Sequence, residues 1–148
     1  MEDKKNKIYI SILVVFWLIF AFFILNALSM YAMPLLRTVN QFIFIPLMVI
    51  LPVLGIALIV LVSRLKFQKI ARAFFILTGS SALGIGVSSV LHNLVYALIM
   101  KFFSSSALAN LGDEPVFFIL ATIVCPIALL VGIIGSIVLI AKKKVIAY

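Results

Sequence analysis

Residues 42–62 read FIFIPLMVILPVLGIALIVLV and residues 63–72 read SRLKFQKIAR: a run without a single charge, then four cations among ten residues. An uncharged helix of that length covers about 30 Å, the thickness of a bilayer's hydrocarbon. The basic run behind it marks the cytoplasmic end of such a helix, because lysine and arginine in short flanking segments resist translocation.

Working outward, the same alternation repeats. Apolar blocks occupy residues 8–33, 42–62, 73–100 and 115–141 of the 148, and the chain as a whole is 66% hydrophobic and 11% charged. Soluble domains run about 45–50% apolar and about 25% charged, and a water-soluble fold of this size has no way to hide so much apolar surface. The composition therefore predicts an all-α integral membrane four-helix bundle, one membrane domain with four transmembrane helices.

Orientation follows from where the cations sit. Lys4, Lys5 and Lys7 precede the first block, Arg64, Lys66, Lys69 and Arg72 lie between the second and third, and Lys142, Lys143 and Lys144 follow the fourth. The two remaining connections carry only Arg37 and Lys101. This bias places both ends of the chain on the cytoplasmic side. It also accounts for the formal net charge of +8 without a nucleic-acid partner, and it makes anionic lipid at the cytoplasmic face the expected neighbour. A signal peptide is the rival reading of the N-terminal block, with Ala27-Leu28-Ser29 as cleavage site, but the apolar stretch exceeds the 7–15 residues of such a core. The compactness of the chain points to a prokaryotic plasma membrane.

Block boundaries carry local signals. The first block stops at Pro34, which removes a helix hydrogen bond. Asp113 and Glu114 ahead of Pro115 form a helix start, since carboxylates favour the positive end of the helix dipole. Pro52 and Pro126 each lie about 15 Å inside their blocks, near the bilayer midplane, where each clashes with a carbonyl four residues back. Both spans are expected to bend there, and paired bends would splay the outer halves of the bundle.

The third block is the polar one. Ser80, Gly84 and Ser88 follow the small-xxx-small spacing that lets helix backbones approach, as do Ala128, Gly132 and Ser136 in the fourth. His92, Asn93 and Tyr96 are large and polar and would be costly against lipid, so they are expected to point inward or toward headgroups. At 1.5 Å per residue they fall near the outer interface, level with Asn26 and Ser29 of the first block. A polar layer of Asn26, Ser29, His92, Asn93 and Tyr96, roofed by Asp113 and Glu114, is the candidate binding site. Cross-helix hydrogen bonding that fixes register is the simpler role for His92 and Asn93, and interfacial anchoring for Tyr96.

No chemistry is specified. A lone Cys125 and a lone His92 make no metal or haem ligand set, and no carboxylate lies within a block to drive proton exchange or phosphotransfer. Gly86-Val87-Ser88 has the Gly-x-Ser form of rhomboid proteases, but the histidine that should come from another helix is on this one. No cofactor and no catalytic residue is assigned. The expected role is non-catalytic association with a membrane-protein partner or as a homo-oligomer; the alternative is binding or permeation of a small polar molecule or lipid head group in an outer-leaflet cavity.

Overall fold

The computed structural model describes residues 2–31, 37–102, 115–142 and 145, with the side chains of 2–4, 26, 29–31 and 37–48 outside that description. Every regular element among them is helical: α1 (Glu2–Tyr31), α2 (Arg37–Ser63), α3 (Lys69–Phe102) and α4 (Pro115–Ala141). Lys5–Leu25 within α1, the whole of α3 and the whole of α4 are long and apolar enough to cross a membrane. In α2 the described apolar part is the shorter stretch Val49–Ser63. Several helices run past their apolar blocks, α1 from Glu2 and α3 from Lys69, because the flanking lysines and glutamate are themselves good helix formers.

A short link joins α2 to α3 and fixes them as antiparallel neighbours. The Arg64 N–H donates to the Leu61 carbonyl at 3.0 Å and the Leu65 N–H to Val62 at 3.4 Å, tightening the last turn of α2 until it ends. The Gln68 carbonyl then accepts from the Arg72 N–H at 2.9 Å and opens α3. On one side α3 packs along α2 and on the other along α4, while α1 packs on α2. Phe16 of α1 reaches α3 edge-on, its ring 5.5 Å from that of Phe75 at 81°.

Burial follows this order. Ile12, Phe16 and Ile19 of α1, Leu51, Leu58 and Val62 of α2 and Leu129 and Ile133 of α4 are buried, at spacings of three, four and seven that keep one face of each helix inward. The opposite faces are aliphatic too: Val14, Val53, Val90, Ile127 and Ile134 are all more than half exposed. A soluble helix carries charge on that face. The buried polar residues, Thr78, Ser81, Ser88, Ser89 and Ser136, lie on α3 and α4 at the centre.

The two mid-helix prolines have different local outcomes. Ahead of Pro126 the helix widens into one π-turn, Leu120–Val124, and the Cys125 N–H donates to the Leu120 carbonyl five residues back. The wider turn gives the proline ring room against the Thr122 carbonyl and adds one residue, which re-aims the side chains beyond it by about 100°. At Pro52, by contrast, α2 stays α-helical. The structure thus changes helix type at one of the two expected bends.

At the basic end of α2 and α3, Val145, beyond α4, lies against the α2–α3 link. The Gln68 N–H donates to the Val145 carbonyl at 3.2 Å, and Val145 is buried. Phe67 is buried as well, its ring 5.6 Å from Phe75, so this end closes over the aromatic pair Phe16–Phe75.

Candidate functional site

The chemistry-bearing residues converge on α3, and the contacts that position it are made by glycines. Gly55 is the only glycine of α2, and it crosses α3 at Gly79: a Cβ built on Gly55 would lie 2.5 Å from the Gly79 carbonyl oxygen and 2.9 Å from the Leu83 nitrogen. The reciprocal Cβ on Gly79 would lie 2.8 Å from the Gly55 oxygen. These are backbone atoms, so the two helices touch main chain to main chain. On the other side of α3, a Cβ on Gly132 would lie 2.6 Å from Thr78 Oγ1 and 2.8 Å from the Thr78 nitrogen. Gly135 receives the Phe74 ring, and Gly84 faces Cys125 Sγ, 2.7 Å from where its Cβ would stand. Running from Phe74–Gly135 through Thr78–Gly132 to Gly84–Cys125, each advance along α3 is matched by a retreat along α4, the register of an antiparallel pair.

The small residues singled out in the sequence are distributed around this geometry. Gly84 is half-buried against α4 and Ser88 is buried, whereas Ser80 is exposed, one residue round from Gly79. On α4, Ala128 is half-buried, and Gly132 and Ser136 are buried. The Ser136 hydroxyl is enclosed with no hydrogen-bond partner among the described residues. Gly55, Gly79 and Thr78 carry the closest approaches to backbone and lie outside the small-xxx-small stripes, although Thr78 and Gly79 belong to the polar and small-residue stretch of the third block. The pattern Gly79-Ser80-Ser81 offered adjacent small residues, and only the helix crossing decides which faces the partner.

Four polar side chains of α3 and α4 bond back to their own helices. Thr78 Oγ1 donates to the Phe74 carbonyl at 2.9 Å, Ser89 Oγ to Ile85 at 2.7 Å, Asn93 Nδ2 to Ser89 at 2.7 Å, and Thr122 Oγ1 to Phe118 at 2.7 Å. Each closes a turn within one helix, which satisfies the polar group without a cross-helix bond.

His92 is half-buried, its ring 5.5 Å from that of Phe118 and tilted by 51°. Asn93 and Tyr96 are exposed. Asp113 and Glu114 lie outside the described residues, as do the side chains of Asn26 and Ser29, so the contacts of the expected polar layer are described only for His92, Asn93 and Tyr96. Two shallow apolar grooves lie on outer faces of the described residues. One is lined by Val53, Ile56, Ala57, Val60 and Leu61, the other by Ile10, Leu13, Val14, Trp17 and Leu18. Neither includes His92. Among the described residues no three of His, Cys, Asp or Glu gather into a metal-binding group.

No family model, no curated protein and no solved structure matches this chain. What the residues can do must be read from their own geometry. That geometry offers close backbone contact, apolar exterior faces and hydroxyls of Thr78, Ser89 and Thr122 that bond back to their own helices.

Proposed function

We propose that the protein is a four-span integral membrane bundle, with both ends on the cytoplasmic side of a prokaryotic plasma membrane, that works by helix association and carries no catalytic site. The supporting observation is how α3 uses its polar residues. Thr78, Ser89 and Asn93 bond back to their own helix while glycines bring neighbouring backbones into contact, an arrangement that favours packing over presentation of polar groups to a ligand.

Ser80 adds a second support. It is exposed part-way along α3, on the same face as the exposed Val87 two turns further on. In lipid its hydroxyl would face hydrocarbon, and a small polar residue there suits a further helix, from a second copy or from another membrane protein. The exposed cations Arg64, Lys66, Lys69, Arg72 and Lys142 would lie at the inner surface, where anionic lipid attracts them.

Purification in mild detergent tests this reading, with the mass of the particle and the identity of co-purifying protein as readouts. The expected result is a dimer or a defined complex that Ser80→Leu disrupts. A monomer that carries a bound small polar molecule, released by His92→Phe combined with Asn93→Leu, would establish outer-leaflet binding instead. Topology is tested separately by labelling single cysteines at positions 68 and 108 with an impermeant reagent; the two must report opposite sides of the membrane.

A further inference from the structure

The Val145–Gln68 contact brings Lys142 toward the basic α2–α3 link, which sequence separation would keep apart. Val145 seats its carbonyl on the Gln68 N–H at 3.2 Å, and Lys66 and Lys69 flank that contact. Arg64 and Arg72 stand on either side of them, and all four cations are exposed. Lys142 is also exposed and lies three residues before Val145, which chain length keeps within about 11 Å of the contact. At physiological ionic strength charges are screened over about 8 Å, so the link and the tail repel one another across roughly one screening length.

Little in the chain opposes that repulsion. Of its four acidic residues, Asp113 and Glu114 precede the far end of α4, and Glu2 and Asp3 begin α1 beside Lys4 and Lys5. The first turn of α3 holds Lys69 and Arg72 and no acidic residue, the reverse of the helix-dipole preference. Yet Val145 is only 3% exposed and Phe67 only 7%. Val145 is thus buried at the place where the described cations Arg64, Lys66, Lys69 and Arg72 accumulate.

We infer that the α2–α3 link and Lys142 form one platform for the phosphate groups of anionic phospholipids, and that headgroup binding holds Val145 seated on Gln68. The inference rests on the membrane reading above and deepens it: inner-leaflet lipid becomes a ligand that completes this end of the fold. Arg64, Lys66, Lys69 and Arg72 supply one side of the platform and Lys142 the other. An anionic headgroup between them turns repulsion into shared attraction. Each cation near an anionic surface changes a binding equilibrium about fivefold, so Lys142 alone gives the effect a readable size.

The test is hydrogen exchange at the Gln68 amide of the full chain, in vesicles of phosphatidylcholine alone and of phosphatidylcholine with phosphatidylglycerol. The expected result is slower exchange in the anionic vesicles by about fivefold or more. The dependence on lipid should be lost when Arg64→Gln, Lys66→Gln, Lys69→Gln and Arg72→Gln are combined. Equal exchange in the two vesicles overturns the proposal, as does lipid dependence that survives the fourfold substitution. Inorganic phosphate protecting Gln68 equally well in phosphatidylcholine alone would also overturn it, because the ligand would then be a soluble anion. Failure of the membrane reading shows itself differently, as protein that does not float with the vesicles or as labelling of Lys66→Cys from the wrong side.

Discussion

Gly55→Ala puts one methyl group where α2 and α3 meet backbone to backbone. The new Cβ would stand 2.5 Å from the Gly79 oxygen and 2.9 Å from the Leu83 nitrogen, where ordinary contact begins at 3.4 Å. Neither atom is the end of a flexible side chain, so relief requires the helices to part over the buried surface around Leu51, Leu58, Phe75 and Ala82. Overpacking of this kind costs about 1–3 kcal/mol, against which alanine gains about 1 kcal/mol of helix propensity over glycine. The net expectation is a loss of up to about 2 kcal/mol, a shift of up to roughly 30-fold in the folding equilibrium. Gly84→Ala is the internal control, because its Cβ meets only the Cys125 side chain, which can rotate away. The assay is unfolding by sodium dodecyl sulfate in mixed micelles, followed by circular dichroism. Gly55→Ala should unfold at lower detergent fraction than wild type and Gly84→Ala close to wild type. If Gly55→Ala matched or exceeded the stability of Gly84→Ala, the main-chain crossing at Gly79 would be wrong.

Ser136→Ala removes a buried hydroxyl that has no partner among the described residues, and it should raise stability by about 1 kcal/mol in the same assay. Phe75→Ala empties the fully buried ring that contacts both Phe16 and Phe67, and a loss of about 3 kcal/mol is expected as a lowered midpoint. Pro126→Ala restores the missing amide and should close the wide turn at Leu120–Val124, rotating the Pro115–Ile119 segment by about 100° and taking Phe118 off His92. A short bifunctional reagent joining cysteines at positions 92 and 118 should then react with the proline-containing protein and fail with the alanine variant.

The physical origin of the legible part is local. A helix needs only its own sequence to satisfy its backbone, so the apolar runs within 8–33, 73–100 and 115–141 announced long helices. Pro126 announced a disturbance because its lost amide is a property of one residue. The same local reasoning applied to Pro52, where α2 keeps its α-helical form.

By itself, the sequence determined that the chain is helical, that its faces are apolar all round, and that its positive charge gathers at the edges of the apolar blocks. Tertiary structure alone decided that Gly79 and not Ser80 meets α2, that Thr78 lies against Gly132, and that Val145 closes on Gln68. Periodicity names the residues that share a face but is silent on which face meets which helix. That choice is made by how closely two backbones can approach, and a glycine at a crossing either meets another glycine, as Gly55 meets Gly79, or makes room for a partner's side chain, as Gly135 does for Phe74.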